Sequence, residues 1–303
     1  MEITYQNPFQ KPGNWYKGNL HAHTTMSDGK KTPEEVAIRY EKAGYHFLAI
    51  TDHNKRTVIP GYQGNILLIP GEEIDITCGG CYHFIAINTK QELGLDPEKR
   101  KNMQPQEIIT AVRQAGGSVI LAHPYWSNET IEMTKLCSGV LGIEVFNHSC
   151  YTDWGNGHSM AHWDDMLRLD IKVNGFAVDD AHAYTVRDFQ PDDSCGGWIM
   201  VKANHCTADE IMTAIRSGDF YAASGPEIHS VTISEEKITV ETSPVRSIAF
   251  RTPRWGGKRM QNADNKMMTC AEYIPKSSGV RCIRVECTDE LGRMAWTNPM
   301  WFS

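Results

Sequence analysis

Short apolar segments in the first 180 residues of the chain are repeatedly followed by a histidine or a carboxylate. The segments with the residues that follow them are Phe47–Thr51 with Asp52 and His53, Ile66–Pro70 with Glu72 and Glu73, Val119–Ala122 with His123, and Phe176–Val178 with Asp179 and Asp180. Core packing does not explain this repetition. A barrel of parallel strands explains it, because the active site of such a barrel is built at the carboxyl ends of its strands. The pattern therefore predicts one metal site made of His and Asp/Glu side chains.

A His-x-His motif, His21-Ala22-His23, ends another strand-like run. On extended backbone, residues two apart point to the same side, so both imidazoles can bind one ion. Imidazole and carboxylate ligands without thiolate suit Mn, Fe or Zn better than a closed cysteine site. A carboxylate that bridges two such ions allows their shared water to lose a proton near neutral pH. We therefore expect a metal-bound hydroxide, and no side chain, to be the nucleophile.

Strands and helices alternate as far as residue 225. The runs predicted as strands are Lys17–Ala22, Phe47–Thr51, Ile66–Ile69, His83–Ile87, Ser118–Ala122, Leu141–Phe146 and Gly175–Val178. Capping boxes at Thr32 and Thr207 open helices that end at Gly44 and Gly218, and Pro105–Gln114 is a further helix. This alternation predicts an α/β fold with a parallel sheet, open or closed.

The pattern changes after Ser224-Gly225-Pro226. Four later runs alternate with period two, and no helical periodicity is evident among them. We predict a small antiparallel β domain at 226–303 that follows a first domain at 1–225 and supplies no metal ligand. The segment Asn147–Asp164, rich in Gly, His, Trp and Asp, is predicted to be a long loop over the site.

Composition limits the classes of partner. The net charge of −7 argues against a surface for duplex nucleic acid, which is usually strongly positive. A small anionic substrate is still compatible, because bound cations dominate the field inside a pocket. Nine cysteines with only one CxxC, Cys78 and Cys81, fit reduced thiols in a cytosolic protein. Because the chain has neither a secretory h-region nor a long apolar run, we expect a cytoplasmic protein that does not associate with a membrane. We also expect no obligate protein partner.

Together the motifs resemble the polymerase and histidinol phosphatase (PHP) superfamily. The residues that carry this resemblance are His21-Ala-His23, Ser27-Asp28-Gly29, Thr51-Asp52-His53, Gly71-Glu72-Glu73, His83, Ala122-His123-Pro124 and Asp180-Ala181-His182. They span about the first 180 residues in the order of the family. The resemblance implies a distorted (β/α)7 barrel with two or three divalent metals. It is closer to stand-alone members that continue into a small β domain.

The resemblance also implies how the ligands are distributed. One metal would be held by His21, His23 and Asp180, a second by His83 and His123, and a third by Asp28, His53 and His182. A glutamate would bridge the first two metals, and the Gly-x-Glu spacing favours Glu73 over Glu72. Strand alternation argues against both glutamates facing the same site. Asp52 is expected to orient an imidazole and not to bind a metal.

Substrate contacts are sought next to these ligands. Arg56 follows the Asp52-His53-Asn54 turn and could bind a phosphate as a fork. A histidine of the predicted loop, His158 or its neighbours His148 and His162, could contact substrate or act as general acid.

The main hypothesis is hydrolysis of a small phosphate ester, such as a nucleotide or a sugar phosphate. The same metals could instead cleave a carboxyl or carbamate ester, or a short oligonucleotide. A non-catalytic binding module is disfavoured, because degenerate versions should have lost ligands and here none is missing.

Overall fold

The structure, a computed structural model, describes residues 7–187, 191–234, 236–254, 256–275 and 281–302. The strands of the barrel and its continuation are β1 (Asn14–Asn19), β2 (Phe47–Ile50), β3 (Leu67–Ile76), β4 (Tyr82–Ile87), β5 (Ser118–Leu121), β6 (Gly142–Asn147), β7 (Asn174–Val178), β8 (Trp198–Ala203) and β9 (Phe220–Ala223). The remaining strands are β10 (Ile228–Ile233), β11 (Ile238–Val245), β12 (Ser247–Arg251), β13 (Lys258–Gln261), β14 (Met268–Tyr273), β15 (Cys282–Thr288), β16 (Met294–Thr297) and β17 (Met300–Trp301). The helices are α1 (Pro33–Lys42), α2 (Pro97–Arg100), α3 (Pro105–Gln114), α4 (Ile131–Thr134), α5 (His148–Trp154), α6 (Met160–Arg168) and α7 (Ala208–Ser217).

The first seven strands form the wall of a distorted barrel. They follow one another in chain order from β1 to β7, and most neighbouring pairs are parallel. The barrel closes beyond β1 and β7, where the amide of Asp180 donates to the carbonyl of His21 at 2.9 Å. The amide of His23 donates in turn to the carbonyl of Ala181 at 3.0 Å. This closure brings the segments after the first and last strands to the same end of the barrel, and the predicted barrel fold is confirmed.

One barrel strand, β4, runs antiparallel to its neighbours in an otherwise parallel barrel sheet. β4 pairs antiparallel with both β3 and β5. The physical reason is the short connection at 77–81, since a parallel crossover needs a dozen or more residues. Gly79 in this turn has φ of +71°, a left-handed conformation that favours glycine.

The segment predicted as a long loop, Asn147–Asp164, is mostly helical, which corrects that prediction. α5 begins where the side chain of Asn147 accepts from the amide of Cys150, and it ends at Gly155, whose φ is +74°. α6 follows and buries Trp163 against the barrel. The helices were missed because their glycines and polar residues resemble a loop, whereas here they act as helix caps.

The sheet continues from the barrel into the C-terminal region. β8 pairs antiparallel with β1, β9 with β8, and β16 with β9. β15, β12 and β13 extend the same sheet, and β10, β11 and β14 form a second antiparallel sheet. The predicted antiparallel C-terminal region is therefore confirmed. The domain division at residue 225 stays a prediction, and the sheet crosses it without interruption.

Two predicted helix starts have a side-chain cap. The Thr32 side chain accepts from the amide of Glu35, and the Glu35 carboxylate accepts from the amide of Thr32. The Thr207 side chain accepts from the amide of Glu210, but the Glu210 carboxylate accepts from the amide of His205, so the predicted reciprocal bond of a capping box is not formed there. α7 ends at Gly218 with φ of +75°. Over the described ranges, the structure has no helix of the length and apolarity that crossing a membrane requires.

Candidate metal centre

The nine predicted ligands meet at one end of the barrel. They lie on or just after six barrel strands, with Asp28 in the loop that follows β1. The groups whose ligand atoms lie within 4.8 Å of one another are His21, His23, Glu73 and Asp180; His53, Glu73 and His83; His23, Asp28, His53 and His182; and His21, His123 and Glu144. None of these groups, found among the described residues, includes a residue beyond His182. The structure shows that these residues converge. Their binding of metals stays a prediction.

The first group is tightly packed and fully buried. Nε2 of His21 lies 3.1 Å from Nε2 of His23. Oδ1 of Asp180 lies 3.1 Å and 3.0 Å from these two nitrogens, and Oε2 of Glu73 lies 3.2 Å and 3.1 Å from them. Ligand atoms around one ion with bonds of about 2.1 Å are separated by about 3 Å or slightly more. The donor set and its spacing therefore fit a divalent metal.

Glu73 faces two groups at once. Its Oε1 lies 2.7 Å from Nδ1 of His83 and 3.2 Å from Nε2 of His123. Its Oε2 points to the first group, is buried, and makes no hydrogen bond. Such an orphaned carboxylate oxygen needs a cation or a donor. The neighbouring Glu72 points to the other side of β3, as strand alternation requires, so Glu73 has the position of a bridging ligand.

The third group is looser and reaches solvent. Oδ2 of Asp28 lies 3.5 Å from Nε2 of His182 and 3.8 Å from Nε2 of His53. More than half of the Asp28 side chain is exposed. A ligand that enters the site from solvent meets this group first.

The carboxylates control the protonation of the imidazoles. Burial lowers the pKa of His23, but hydrogen bonds to Asp180 and Glu73 raise it to about 9 overall. Burial also lowers the pKa of His83, but the negative charge of Glu73 outweighs this effect and raises the pKa to about 11. For His53 burial dominates and the pKa is lowered. A metal that binds His23 and His83 must therefore displace protons at neutral pH.

Glu144 is a site residue that the sequence analysis missed. It lies fully buried in β6, and its Oε1 is 2.7 Å from Nδ1 of His21. Its Oε2 accepts from the amide of His123 at 2.9 Å and from the side chain of Asn147 at 3.0 Å. The same Asn147 amide donates to Asp180 at 3.1 Å. A charged residue inside the apolar run Leu141–Phe146 was the available indication.

We predict that Glu144→Gln weakens metal binding about 10- to 100-fold, the usual effect of losing a carboxylate that orients a ligating imidazole. The neutral amide no longer favours the tautomer in which Nε2 of His21 carries the lone pair. Competition with a fluorescent chelator measures the change. A variant that binds metal as the wild type does would show that Glu144 does not position His21.

Asp52 supports the loop that carries Asp28. It accepts from the amide of Thr24 at 2.7 Å and from the hydroxyls of Thr24 and Ser27 at 2.8 Å each. Ser27 Oγ in turn lies 3.5 Å from Nδ1 of His23. Ser27 thus lies between Asp52 and His23, and the role of Asp52 in orienting an imidazole stays a prediction.

The two residues predicted to bind substrate lie elsewhere. Arg56 donates to the carbonyl of Thr89 and lines a cavity with Glu72, on the side of β3 opposite to Glu73. The ring of His158 lies 5.0 Å from that of Phe146 and 6.3 Å from that of Trp296. Their roles in substrate binding stay predictions.

Trp126 lies directly at the centre, with its ring 5.0 Å from that of His123.

Comparisons with known proteins support the fold. No family model matches the chain. An uncharacterised protein of Methanocaldococcus jannaschii is 28% identical over 142 residues, which are 44% of this chain and 54% of that protein. The 5'-3' exoribonuclease Rnm of Salmonella typhimurium is 43% identical over 63 residues, which are 18% of this chain and 22% of the relative. The chain thus spans about half the length of the first relative and less of the second.

One solved structure matches nearly the whole chain. It is a two-domain protein from Bacteroides vulgatus that contains a predicted PHP-like metal-dependent phosphoesterase. The match covers 99% of this chain and 98% of the other, with a TM-score of 0.51 and 17% sequence identity. At this identity the likeness bears on the fold. The chain therefore has the PHP fold in its two-part form, a barrel followed by a C-terminal antiparallel β region.

Proposed function

We propose that the chain is a metal-dependent hydrolase that cleaves a small phosphate ester, such as a nucleotide or a sugar phosphate. The observation that carries this proposal is the buried carboxylate of Glu73, which faces His21 and His23 with one oxygen and His83 and His123 with the other. His21, His23, Glu73 and Asp180 would hold one of two or three divalent ions, with Mn, Fe or Zn suited to these donors. When bound, such ions activate a water and polarise the substrate.

The residues of the third group would receive the substrate. Asp28, His53 and His182 stand at the exposed edge of the centre, beside the buried groups. Three adjacent cation sites suit a phosphoryl group, whose several charged oxygens can each be neutralised. A carboxyl or carbamate ester offers fewer charged oxygens, so we rank this alternative second. The exoribonuclease relative acts on RNA by its name, which keeps a short oligonucleotide as a version of the same proposal.

No side-chain nucleophile is needed, and the buried thiol beside Asp180 is unsuited. Cys150 Sγ lies 3.9 Å from Oδ2 of Asp180. Burial, reinforced by the charges of Asp180 and Glu144, raises the pKa of this thiol far above its usual range. The nucleophile of a cysteine enzyme is the thiolate, so a thiol that stays protonated does not attack. We propose that water is the attacking group.

A substrate panel tests the proposed class. Protein loaded with Mn²⁺ or Zn²⁺ is assayed with phosphate monoesters, short oligonucleotides, carboxyl esters and carbamates under the same conditions. We expect phosphate release from a phosphate monoester, or nucleotide release from the oligonucleotides, and little cleavage of the carboxyl esters and carbamates. Cleavage of carboxyl or carbamate esters with none of phosphate esters would refute the substrate class and leave the metal centre in place.

A further inference from the structure

The exposed aromatic side chains among the described residues lie at one end of the barrel. Of the Phe, Tyr and Trp residues in these ranges, only Tyr125, Tyr151 and Trp154 are exposed, by 51%, 50% and 72%. Tyr125 follows the predicted ligand His123 by two residues, and the other two lie in α5, which begins directly after β6. Both segments follow the carboxyl ends of barrel strands, which is the end where the predicted ligands meet.

Both segments also carry residues that contact the metal centre. Trp126, next to Tyr125, has its ring 5.0 Å from that of His123. α5 is capped by Asn147, and the side-chain amide of Asn147 donates to Oδ2 of Asp180 at 3.1 Å. The exposed rings are therefore only a few residues away from groups of the metal centre.

The exposed rings have few partners within the protein. Trp154 contacts no other aromatic ring in the part of the chain that the structure describes, and its indole N–H makes no hydrogen bond there. The ring of Tyr125 lies 6.3 Å from that of His162, and the ring of Tyr151 lies 5.4 Å from that of His158. Exposed apolar side chains that are clustered, and not scattered, usually mark a binding site. We therefore expect these three rings to contact a ligand.

We propose that Tyr125, Tyr151 and Trp154 form a base-stacking surface beside the metal centre, and that the substrate is a short single-stranded oligonucleotide. This inference rests on the proposed phosphoester hydrolysis and narrows its substrate class. Aromatic side chains stack on the flat face of any nucleobase, so such a surface binds bases without regard to sequence. A sugar phosphate has no flat ring to place there.

The arrangement suits a chain of nucleotides better than a single one. Tyr151 and Trp154 are three residues apart in α5, so they are neighbours on one side of the helix. Tyr125 comes from a different segment, after β5. Because one base covers one ring, several rings on two segments are suited to several bases.

Positive charge is available for a further phosphate of such a chain. The amide of Lys30 donates to the carbonyl of His182 at 2.7 Å. The side chain of Lys30 is exposed and forms no ion pair with any residue that the structure describes. His182 belongs to the third group of predicted ligands, so Lys30 can neutralise a phosphate next to the one that this group would receive.

Fluorescence anisotropy with the Mn²⁺-loaded chain tests the surface. The probes are a labelled oligouridylate with phosphorothioate linkages, which resist hydrolysis, and an abasic chain with the same length, label and linkages. Both probes carry the same charge, and only the first has bases. We expect the abasic chain to bind at least about tenfold more weakly, because it cannot stack.

Substitutions at the rings make the assignment specific. Trp154→Ala and Tyr151→Ala should each weaken oligouridylate binding about fivefold or more and leave the abasic chain within about twofold of the wild type. Trp154→Phe keeps a ring and should lie closer to the wild type than Trp154→Ala. Leu169→Ala is the matched control, because Leu169 is 51% exposed, as Tyr125 is, but lies at the C-terminal end of α6. It should bind both probes as the wild type does.

Equal binding of the two probes, no binding of oligouridylate, or ring variants that weaken both probes alike would overturn the proposal. Sedimentation of the same proteins shows whether the rings cover a second copy of the chain instead. A dimer that Trp154→Ala dissociates, with oligouridylate binding unchanged, would also overturn it.

Hydrolysis of a phosphate monoester and of an unmodified oligouridylate, measured in parallel, separates this inference from the proposed function. A chain that hydrolyses phosphate esters and does not distinguish the two probes would refute base stacking and leave the proposed function in place. A chain that prefers oligouridylate and hydrolyses no phosphate ester would refute the proposed function instead.

Discussion

Asp180→Ala is expected to abolish hydrolysis, with a loss of about 10³-fold or more, because it removes a ligand and its charge together. Oδ1 of Asp180 lies within 3.1 Å of both His21 and His23 in the buried group. Without this carboxylate, the site has one negative charge fewer to stabilise a bound cation. We expect the variant to lose bound metal as well as activity, which elemental analysis of the purified protein measures.

Cys78→Ala is the control for this experiment. Cys78 lies in the turn between β3 and β4, where its sulfur accepts from the side chain of Gln104. The proposed mechanism gives this thiol no part, so activity and metal content should stay close to those of the wild type. An Asp180→Ala protein that is folded and still turns over substrate at more than a few per cent would contradict the assignment of Asp180.

Arg284→Ala is expected to destabilise the fold by about 3–5 kcal/mol, because it leaves the buried carboxylate of Glu286 without the guanidinium that contacts it most closely. Arg284 is almost completely buried in β15 and bridges the two parts of the molecule. It donates to Oδ1 of Asp164 in α6 at 2.6 Å and to Oε1 of Glu286 at 2.7 Å. Its guanidinium also lies 4.4 Å from the centre of the Trp163 ring. Denaturant unfolding of the metal-free protein measures the loss.

Arg251→Ala provides a matched comparison at the same place. Arg251 also contacts Asp164, at 3.1 Å, but half of its side chain is exposed. An exposed ion pair contributes about 1 kcal/mol or less, so this variant should unfold close to the wild type. Equal effects of the two substitutions would show that burial of Arg284 does not determine its contribution.

Local signals in the sequence were sufficient for the helices with strong caps and for most strands. The capping box at Thr32, the side-chain cap at Thr207 and the glycine at 218 act within one turn, so neighbouring residues determine these boundaries. α5 and α6 were missed because Asn147 and Gly155, which cap α5, were assigned to a loop. Polar residues and glycines are common in loops and in caps, and tertiary packing decides between the two.

Strand direction and pairing depend on contacts that are distant in sequence. The short turn before β4 is an indication of its reversal, whereas the pairing of β8 with β1 brings together residues almost 190 positions apart. β8 and β9 were not predicted, since β8 is half-buried and β9 is a buried run of only four residues. The join between barrel and C-terminal sheet could therefore not be anticipated.

The candidate site was predictable to a large extent because it repeats one rule. Four barrel strands, β1, β2, β5 and β7, are followed by residues of ligand type, whereas Glu73 lies within β3 and His83 near the start of the antiparallel β4. The closed barrel places these residues together. Glu144 did not follow the rule, because it lies inside β6 and not after it. Arg56 follows β2, as the rule suggests. A left-handed turn at Asn54, with φ of +52°, lies between His53 and Arg56, and Arg56 lines the cavity on the other side of β3. Proximity in sequence to His53 did not determine its side.

Phosphate release from metal-stripped protein, followed while Mn²⁺ is added back, tests the central claim most directly. We expect no turnover of the best phosphate ester in the presence of excess chelator. Activity should return as the ion is added and should level off when two or three ions are bound per chain, since the centre has the donors for that number. The Asp180→Ala protein should stay inactive throughout. Full activity in the stripped protein, or no activity at any metal content, would contradict a metal-dependent phosphoesterase.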